Sequence, residues 1–436
     1  MKRFLQNPIW ELISFEYKKI LKLRAFIILY CFAALFSLIS PMISSLVSPN
    51  FHRSVGYAAF QSISLDKKAV QRNKGYVTEE ILLEIAEMEQ NRYRLQSDYS
   101  FSSMPEYHDN GQYGIDYQLP YYPVYSFLLD VVSLRPLDYV HKKTILFNLS
   151  FSLGSYEPDF LFTEDGMTGF YEKYRAALLD KINETSNLTD AERESLSKMS
   201  ESIKVPFYSE YNKTYTSYPD MLSAIGLFTL FLISLMASGI FGNEYAGKTA
   251  ALLLSSKYGK SKNILAKILT GISGAVLINL SLSLLHLLGY MLIHGTSGAG
   301  TPFQFIRDYA YSPYPITAGQ SILIFLTASV FVCAAYSAFV MLLSACIKKP
   351  SITVSLSTLM IFLPVFFSDY SSRLALQLTY LIPWQVFDYH AVFCNYLYVF
   401  GSVVIPPALF YVIFSAFQMI ILLPMAGMKF RRYQVS

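Results

Sequence analysis

The sequence contains little charge, since only 15% of its 436 residues are Asp, Glu, Lys or Arg. A soluble globular domain contains roughly 25%. This shortage argues against an ordinary soluble enzyme, and a mean hydropathy of +0.34 argues against a disordered chain. The formal net charge of +4 is too small to indicate nucleic-acid binding.

Cysteine is also scarce. Three of the four cysteines, Cys31, Cys333 and Cys346, lie in long apolar runs, and Cys394 is alone outside them. The long stretch between the first two apolar runs has none, so no disulfide stabilises it. Secreted eukaryotic domains of this size often have disulfides, and their absence fits a bacterial surface protein better.

The hydrophobic residues, 53% of the chain, are concentrated in six runs. A helix of roughly 20 apolar residues crosses a bilayer, and lipid cannot hydrogen-bond an open backbone, so we expect six transmembrane helices. The fifth run is the shortest and opens after Pro350. The predicted spans are Ala25–Val47, Met221–Phe241, Ile268–Ile293, Ser321–Ile347, Ile352–Phe367 and Val403–Met428.

Basic residues indicate the orientation. Four segments on one side of a six-helix path together contain sixteen Lys and Arg residues, and their only acidic residues are Glu11, Glu16 and Glu244. The rest of the chain, which lies on the other side of this path, contains 19 basic and 28 acidic residues. Cytoplasmic segments carry the excess of Lys and Arg. We therefore predict a multi-pass protein of the cell membrane with cytoplasmic N- and C-termini and with residues 48–220 extracellular.

Residues 48–220 are long enough to form a domain with its own core. The periodicity predicts a mostly helical α+β domain, with loop or short strand over Tyr107–Tyr125. The predicted divisions of the chain are therefore 1–47, 48–220 and 221–436. The helices predicted in the extracellular domain are Val77–Leu95, Thr168–Ile182 and Thr189–Ile203, the last opening with a capping-box pattern from Thr189 to Glu192.

Tyrosine is abundant, and 18 of its 34 residues lie between Phe51 and Asp220. A tyrosine ring is apolar with a polar tip, which suits membrane interfaces and adaptable binding surfaces. Two interpretations stay open. The tyrosines are interface anchors and ordinary core residues, or some of them bind an amphipathic or peptide-like cargo.

Residues Gly242 to Thr249 match the phosphate-loop pattern G-x-x-x-x-G-K-[ST] letter for letter. A phosphate loop follows a β-strand and opens a helix inside an α/β domain. Here the pattern follows a membrane helix, and the chain re-enters the membrane soon afterwards. We therefore do not predict a nucleotide site, and we predict no catalytic residues.

Polar residues at membrane depth are few. His286 and His294 lie about two turns apart, which is compatible with a proton relay or a metal, but no paired carboxylate accompanies them. We therefore predict no metal site and favour polar packing. Such residues commonly face a bundle interior or a water-filled path. The candidates for a cargo path are Asn279, Ser283, His286, Gln320 and Gln418.

Two cytoplasmic segments are informative. Ile9 to Leu23 forms an amphipathic, cationic pattern typical of a helix in the inner membrane interface, and a plain extension of the first span is the alternative. The segment 244–267 contains a short helix-like run, Ala250 to Leu254, and then a basic turn with glycine. A short helix at the membrane surface suits the docking of a cytoplasmic partner.

These segments resemble a family. The interfacial stretch from Phe15 to Leu21 is followed, after the second span, by Phe-Gly-Asn-Glu ending at Glu244, then Gly-Lys-Thr, Leu-Leu-Leu-Ser-Ser and finally Ala-Lys ending at Lys267. This order is similar to the permease subunit of type-2 ABC exporters, the class of the O-antigen and teichoic-acid exporters. Gly-Lys-Thr stands where Gly-Thr is common there. The resemblance covers the six-helix framework and not residues 48–220, which far exceed the short loop typical of the family.

The resemblance implies a mechanism. Two permeases, identical or homologous, form a dimer in the lipid bilayer, and two separate ABC ATPase subunits dock below it and hydrolyse ATP with Mg. This chain then binds no cofactor, contacts no nucleic acid and is not itself an enzyme. Segment 374–399 corresponds to a re-entrant element. The residues implied in ATPase coupling are Glu244, Gly247, Lys248, Thr249, Leu252, Leu253, Leu254, Lys257, Lys260 and Lys262.

We therefore expect a bacterial ABC export permease whose cargo is a peptide, a lipid or a drug-like molecule. The alternative is a membrane receptor or sensor subunit whose extracellular domain binds an antimicrobial or envelope ligand without transport. A scaffold for an envelope enzyme is a third option. The cargo, the direction of transport and the identity of the dimer partner stay open.

Overall fold

The structure is a computed structural model that describes residues 8–47, 63–64, 67, 70–71, 74–83, 168–306, 309–366 and 373–432. The described part is mostly helical. The α-helices with defined ends, in chain order, are α1 (Pro8–Ile20), α2 (Arg24–Val47), α3 (Phe170–Glu184), α4 (Asp190–Glu201), α5 (Lys213–Ser217), α6 (Leu222–Ala246), α7 (Ala250–Ser255), α8 (Lys262–His294), α9 (Ala318–Ile347), α10 (Pro350–Phe366), α11 (Arg373–Tyr380), α12 (Tyr389–Val392) and α13 (Pro407–Arg431).

Five helices in the described ranges are long and apolar enough to cross a membrane: α2, α6, α8, α9 and α13. The chain is therefore a polytopic helical membrane protein. The fifth predicted span coincides with α10, an apolar helix of 17 residues that is shorter than the other five, and its crossing of the membrane stays a prediction. Large apolar side chains such as Ile28, Leu292 and Ile420 are exposed on the protein surface, as expected where lipid is the solvent.

Four helices, α2, α6, α8 and α13, extend beyond their predicted ends by taking in charged residues. α6 continues to Ala246 and so contains Glu244, and α8 begins at Lys262 and so contains Lys267. Hydropathy places a span's end at the first charge. In α6 and α8 the charges taken in include the buried pair of Glu244 and Lys267, whereas Lys429 and Arg431 at the end of α13 are exposed.

The last span starts later than predicted. Residues Val403–Ile405 form strand β4, which pairs antiparallel with β3 (Tyr398–Phe400), and α13 begins at Pro407. The reason is local: a residue before proline is disfavoured in the helical region, and proline itself is favoured at the first helical position. The Pro406-Pro407 pair therefore defines the helix start.

The segment 374–399, predicted to be re-entrant, consists of broken short elements. α11 ends at Tyr380, a 3₁₀ helix covers Pro383–Phe387, and α12 and β3 follow. The break at Pro383 agrees with the expected interruption of the helix. The position of this segment in the membrane stays a prediction.

The chain divides into two compact units. The first contains residues 1–42, 218–290 and 323–436, and the second contains 43–217 and 291–322. The second unit therefore includes a stretch, 291–322, that the sequence division left with the transmembrane part.

The second unit contains the helices predicted for the extracellular domain. α3 and α4 correspond to two of them, and Thr189 and Glu192 form the predicted capping box at the start of α4. Of the third, residues 79–83 are helical, and the remainder from 84, like the loop predicted over 107–125, lies outside the described residues. A two-stranded antiparallel pair joins β1 (Gly75–Tyr76) to β2 (Tyr208–Ser209).

Several of its tyrosines are buried and hydrogen-bonded. The Tyr174 hydroxyl donates to the Ala310 carbonyl at 2.6 Å, and its ring stacks on Tyr311. The Tyr171 hydroxyl donates to the Val77 carbonyl at 2.6 Å and accepts the Phe207 amide. Tyr174 is therefore a core residue of the unit and Tyr171 is half-buried beside it, and cargo binding by the other tyrosines stays a prediction.

Candidate functional site

A fully buried lysine marks the candidate site in the first unit. The Lys267 ammonium, with 0% side-chain exposure, lies 2.9 Å from Glu16 Oε1 and 2.8 Å from Glu244 Oε1. Its third hydrogen bond goes to the Ile240 carbonyl at 3.0 Å. A buried ammonium can donate three hydrogen bonds, and all three are made here. Burying an isolated charge costs far more than burying a paired one, so these partners are what allow Lys267 to lie inside the protein.

Lys19 completes the cluster. Its ammonium lies 2.6 Å from Glu244 Oε1 and 3.1 Å from Glu16 Oε1. Burial by itself would lower the pKa of Lys19, but the hydrogen bond to Glu244 and the two nearby carboxylates outweigh it, so its pKa lies above the usual value. Two ammonium and two carboxylate groups give a neutral cluster, hereafter the charge cluster (Glu16, Lys19, Glu244 and Lys267).

The charge cluster attaches α1 to α6 and α8. Glu16 is buried, whereas the neighbouring Phe15 and the more distant Trp10 are exposed. A helix that buries a carboxylate against the protein and exposes aromatic rings on its other side is typical of a helix that lies in the membrane interface, with lipid against the exposed side. The Tyr17 hydroxyl adds a hydrogen bond of 2.7 Å to the Ser273 hydroxyl on α8.

Glu244 also connects the cluster to α7. Its second carboxylate oxygen accepts a hydrogen bond from the Thr249 hydroxyl at 2.5 Å, and its carbonyl accepts the Thr249 amide at 2.9 Å. Between them, Lys248 adopts a left-handed conformation with φ of 58°, in the turn that follows the end of α6. The start of α7 is therefore fixed to the charge cluster.

α7 has one buried side and one exposed side. Ala250 and Leu254 lie four residues apart and are buried, so they anchor the helix. Leu252 points outward, with 75% of its surface exposed, and Lys248, Lys257 and Lys260 are exposed as well. An exposed leucine among exposed lysines can bind a partner that offers an apolar pocket with an acidic rim.

The turn after α7 is tightly packed. A Cβ atom on Gly259 would lie 1.8 Å from the Leu253 carbonyl oxygen, so only glycine fits there. The Tyr258 ring lies beneath two ammonium groups, that of Lys262 at 4.7 Å and that of Lys257 at 5.4 Å from its centroid. These cation–π contacts orient the basic turn.

The residues that match the phosphate-loop pattern do not form such a loop. Gly242 lies inside α6, and its amide donates to the Ser344 hydroxyl at 2.8 Å. The Cβ position of Gly242 is closely approached by Pro350, so this glycine serves helix packing. The amides that would surround a phosphate are used in a helix and its C-terminal turn.

The polar stripe on α8 is packed within the first unit. Asn279, Ser283 and His286 are each fully buried. The Asn279 amide donates to the Ser329 hydroxyl at 2.9 Å, and His286 Nε2 lies 3.0 Å from the Asp220 carbonyl. These contacts support the polar-packing interpretation in a single chain, and the cargo-path role stays a prediction.

The two glutamines predicted with that stripe lie elsewhere. Gln320 is exposed at the third position of α9, where its side chain accepts the Thr317 amide and its own amide donates to the Thr317 hydroxyl. This is a capping box, and the Thr-x-x-Gln spacing was the sequence signal for it. Gln418 lines a cavity of about 50 Å³ beside Tyr336 and Tyr411, which none of the stripe residues lines. That volume is enough for about one or two water molecules.

His294, predicted to share a face with His286, belongs to the second unit. Its two ring nitrogens lie 2.9 Å from the Ser45 hydroxyl and 2.9 Å from the Tyr211 hydroxyl. Both nitrogens thus have hydroxyl partners. Among the described residues, no group of three or more His, Cys, Asp or Glu side chains is arranged to bind a metal ion.

Sequence reasoning identified Glu244 and α7 but missed the pairing of Glu16 and Lys19 with Lys267. A signal was present, because the predicted cytoplasmic segments contain three acidic residues against sixteen basic ones. Acidic residues so rare beside apolar runs are candidates for buried partners of a lysine. Comparison of the chain with protein-family models and with curated proteins gives no match.

Proposed function

We propose that the chain is the membrane-spanning permease subunit of a bacterial ABC exporter, driven by ATP hydrolysis in a separate subunit. The observation that carries this proposal is the attachment of α7 to the charge cluster. A short helix with an outward-facing Leu252 is joined through Thr249 and Glu244 to Lys267, which is buried in α8. Force applied to α7 by a partner would thus reach α6, α8 and α1 together.

The proposed topology has six membrane crossings, with α10 as the fifth. A helix of 17 residues rises about 25 Å, which is short for a bilayer core of about 30 Å but within the range that membranes accommodate by thinning. The charge asymmetry of the sequence supports cytoplasmic termini and an extracellular position for residues 48–220. In this topology α7 and the charge cluster face the cytoplasm.

The proposed assembly is a dimer of permeases, identical or homologous, with two ATPase subunits below it. Each α7 would enter a groove of one ATPase, with Leu252 and Leu253 as the apolar contacts and Lys248, Lys257 and Lys260 as the charged rim. The cargo would be a peptide, a lipid or a drug-like molecule that passes between the two permeases. A cargo path between the two permeases is compatible with the burial of the polar stripe inside each chain.

The test begins with the subunits that co-purify. The chain is isolated in mild detergent from the organism that encodes it, co-purifying proteins are identified by mass spectrometry, and ATPase turnover of the complex is compared with that of the ATPase alone. In a Leu252→Asp variant the stimulation should fall about tenfold or more, because loss of a central apolar contact in an interface costs about 2 kcal/mol or more. Ala250 and Leu254 are left intact, because they anchor α7 internally.

The matched control is Met221→Asp, at the opposite end of α6. Met221 is also an exposed apolar residue, at 51% against 75% for Leu252, and its left-handed backbone, with φ of 65°, tolerates Asp. This variant should retain full ATPase stimulation. Loss of stimulation in both variants, or in neither, would contradict the role of α7. A chain that purifies without an ATPase and binds an antimicrobial or envelope ligand would instead establish the receptor or sensor function.

A further inference from the structure

A half-open cavity of about 550 Å³ lies among the ends of three helices of the first unit, and one of its lining residues, Tyr245, directly follows Glu244 of the charge cluster in the chain. α6 contributes Tyr245, α9 contributes its last turn and Lys348, and α13 contributes its last two turns. The residues that line it are Tyr245, Ala345, Cys346, Lys348, Met425, Met428, Lys429 and Arg432. Its volume is in the range of small-molecule sites, about 300–1,000 Å³.

The charge of this cavity has one sign. Three of the lining residues, Lys348, Lys429 and Arg432, are cationic, and none is acidic. Lys348 has a left-handed backbone with φ of 63°, and its ammonium lies 6.0 Å from the Tyr245 ring centroid. Helix C-termini favour nearby cations, which accounts for cations at the ends of α9 and α13 but not for the convergence of three of them on one cavity.

The rest of the lining is apolar. Met425 and Met428 are exposed side chains on α13, a helix apolar enough to cross the membrane, and Ala345 belongs to the last turn of α9. The Tyr245 ring is supported from behind by the Phe430 ring at 5.5 Å, and its hydroxyl donates to the Ala345 carbonyl. A ligand that fits both parts of the lining has an anionic group joined to an apolar body.

We propose that this cavity, hereafter the cationic pocket, binds the phosphate of an anionic phospholipid, with the acyl chains along Met425 and Met428. The location favours lipid over a soluble phosphate, because the pocket lies at the end of membrane-crossing helices, where headgroups are concentrated. Basic pockets between transmembrane helices bind such headgroups through charge and hydrogen bonds. The proposal needs the bilayer position of these helices but not the transport function.

The occupied pocket would connect three helix ends. Tyr245 follows Glu244 directly in α6, so a lipid that contacts Tyr245, Lys348 and Arg432 would fix the end of α6 beside the charge cluster. Anionic lipid would then stabilise the protein and the position of α7 together.

The test uses the full chain in nanodiscs and the thiol of Cys346, which lines the pocket. In a background with the other exposed thiol removed (Cys31→Ser), the maleimide labelling rate of Cys346 is measured with increasing phosphatidylglycerol in phosphatidylcholine. Labelling should slow about tenfold with phosphatidylglycerol. In a Lys429→Gln/Arg432→Gln variant this protection should be largely lost.

The matched control is Lys22→Gln/Arg24→Gln, which removes two exposed cations on the same side of the proposed topology but outside the pocket. Equal loss of protection in this control would show general surface attraction and overturn the proposal, as would full protection in the pocket variant. Equal protection by inorganic phosphate in phosphatidylcholine nanodiscs would assign the pocket to a soluble anion. Protection by an added ATPase subunit, and not by phosphatidylglycerol, would assign it to a protein partner.

Discussion

The ammonium of Lys267 lies 2.8 Å from the carboxylate of Glu244, and both side chains are buried at the ends of neighbouring helices, α8 and α6. Glu16 and Lys19 of α1 complete the same neutral cluster. Because the attraction between charges is strong where water is excluded, while desolvation opposes it, the stability of the cluster depends on all four members.

Replacement of Lys267 by methionine should destabilise the protein by about 3–5 kcal/mol, because two buried carboxylates lose their central partner. The measurement is the unfolding midpoint of the purified protein in detergent. Lys260→Met is the control, since Lys260 is exposed on the turn after α7. An equal midpoint in the two variants would contradict the central position of Lys267.

Substitutions of Glu16 and Lys267 should have non-additive effects on the free energy of unfolding, although the two residues are 251 positions apart in the chain. The Glu16→Gln change and the Lys267→Met change should together cost less than the sum of the single changes, with a coupling energy of about 0.5–3 kcal/mol. The four stabilities of a double-mutant cycle give this value. Strict additivity would mean that α1 is not attached through this pair.

Gly259→Ala should displace the turn after α7, because its new Cβ atom would lie 1.8 Å from the Leu253 carbonyl oxygen. We expect faster hydrogen exchange over α7 and weaker ATPase stimulation by the complex. Gly300→Ala is the matched control, since its Cβ atom would have no neighbour within 4 Å. Unchanged exchange over α7 in the Gly259 variant would count against the observed turn.

The proposed topology predicts which thiols a membrane-impermeant maleimide reaches in intact cells. In a chain without its four native cysteines, Lys198→Cys on α4 should be labelled from outside, and Lys260→Cys only after the membrane is opened. Both lysines are exposed in the structure, so burial does not decide the result. Labelling of Lys260→Cys in intact cells would reverse the orientation and remove the support for a cytoplasmic α7.

The sequence determined much of this protein by local chemistry. Apolar runs of about 20 residues or more become helices in lipid, and the described structure contains five helices long and apolar enough to cross a membrane at predicted positions, with the shorter apolar helix α10 at the sixth. The Thr189 capping box and the start of α13 after Pro406 also follow from short-range rules, since each depends on a few adjacent residues. The first of these was predicted, and the second was readable from the proline pair although the predicted start was Val403.

Only the tertiary structure determined which residues pair in the charge cluster. No spacing rule joins Glu16 to Lys267, because their contact depends on how α1 packs against α8. The same packing carries Glu244 and Lys267 into their helices, which hydropathy had ended earlier, and it leaves Leu252 exposed while burying Leu254. The sequence thus determined the helices, because an apolar segment in lipid must satisfy its own backbone hydrogen bonds. The positions of the buried ions and of the exposed surface on α7 depend on contacts between distant segments, which form only in the folded chain.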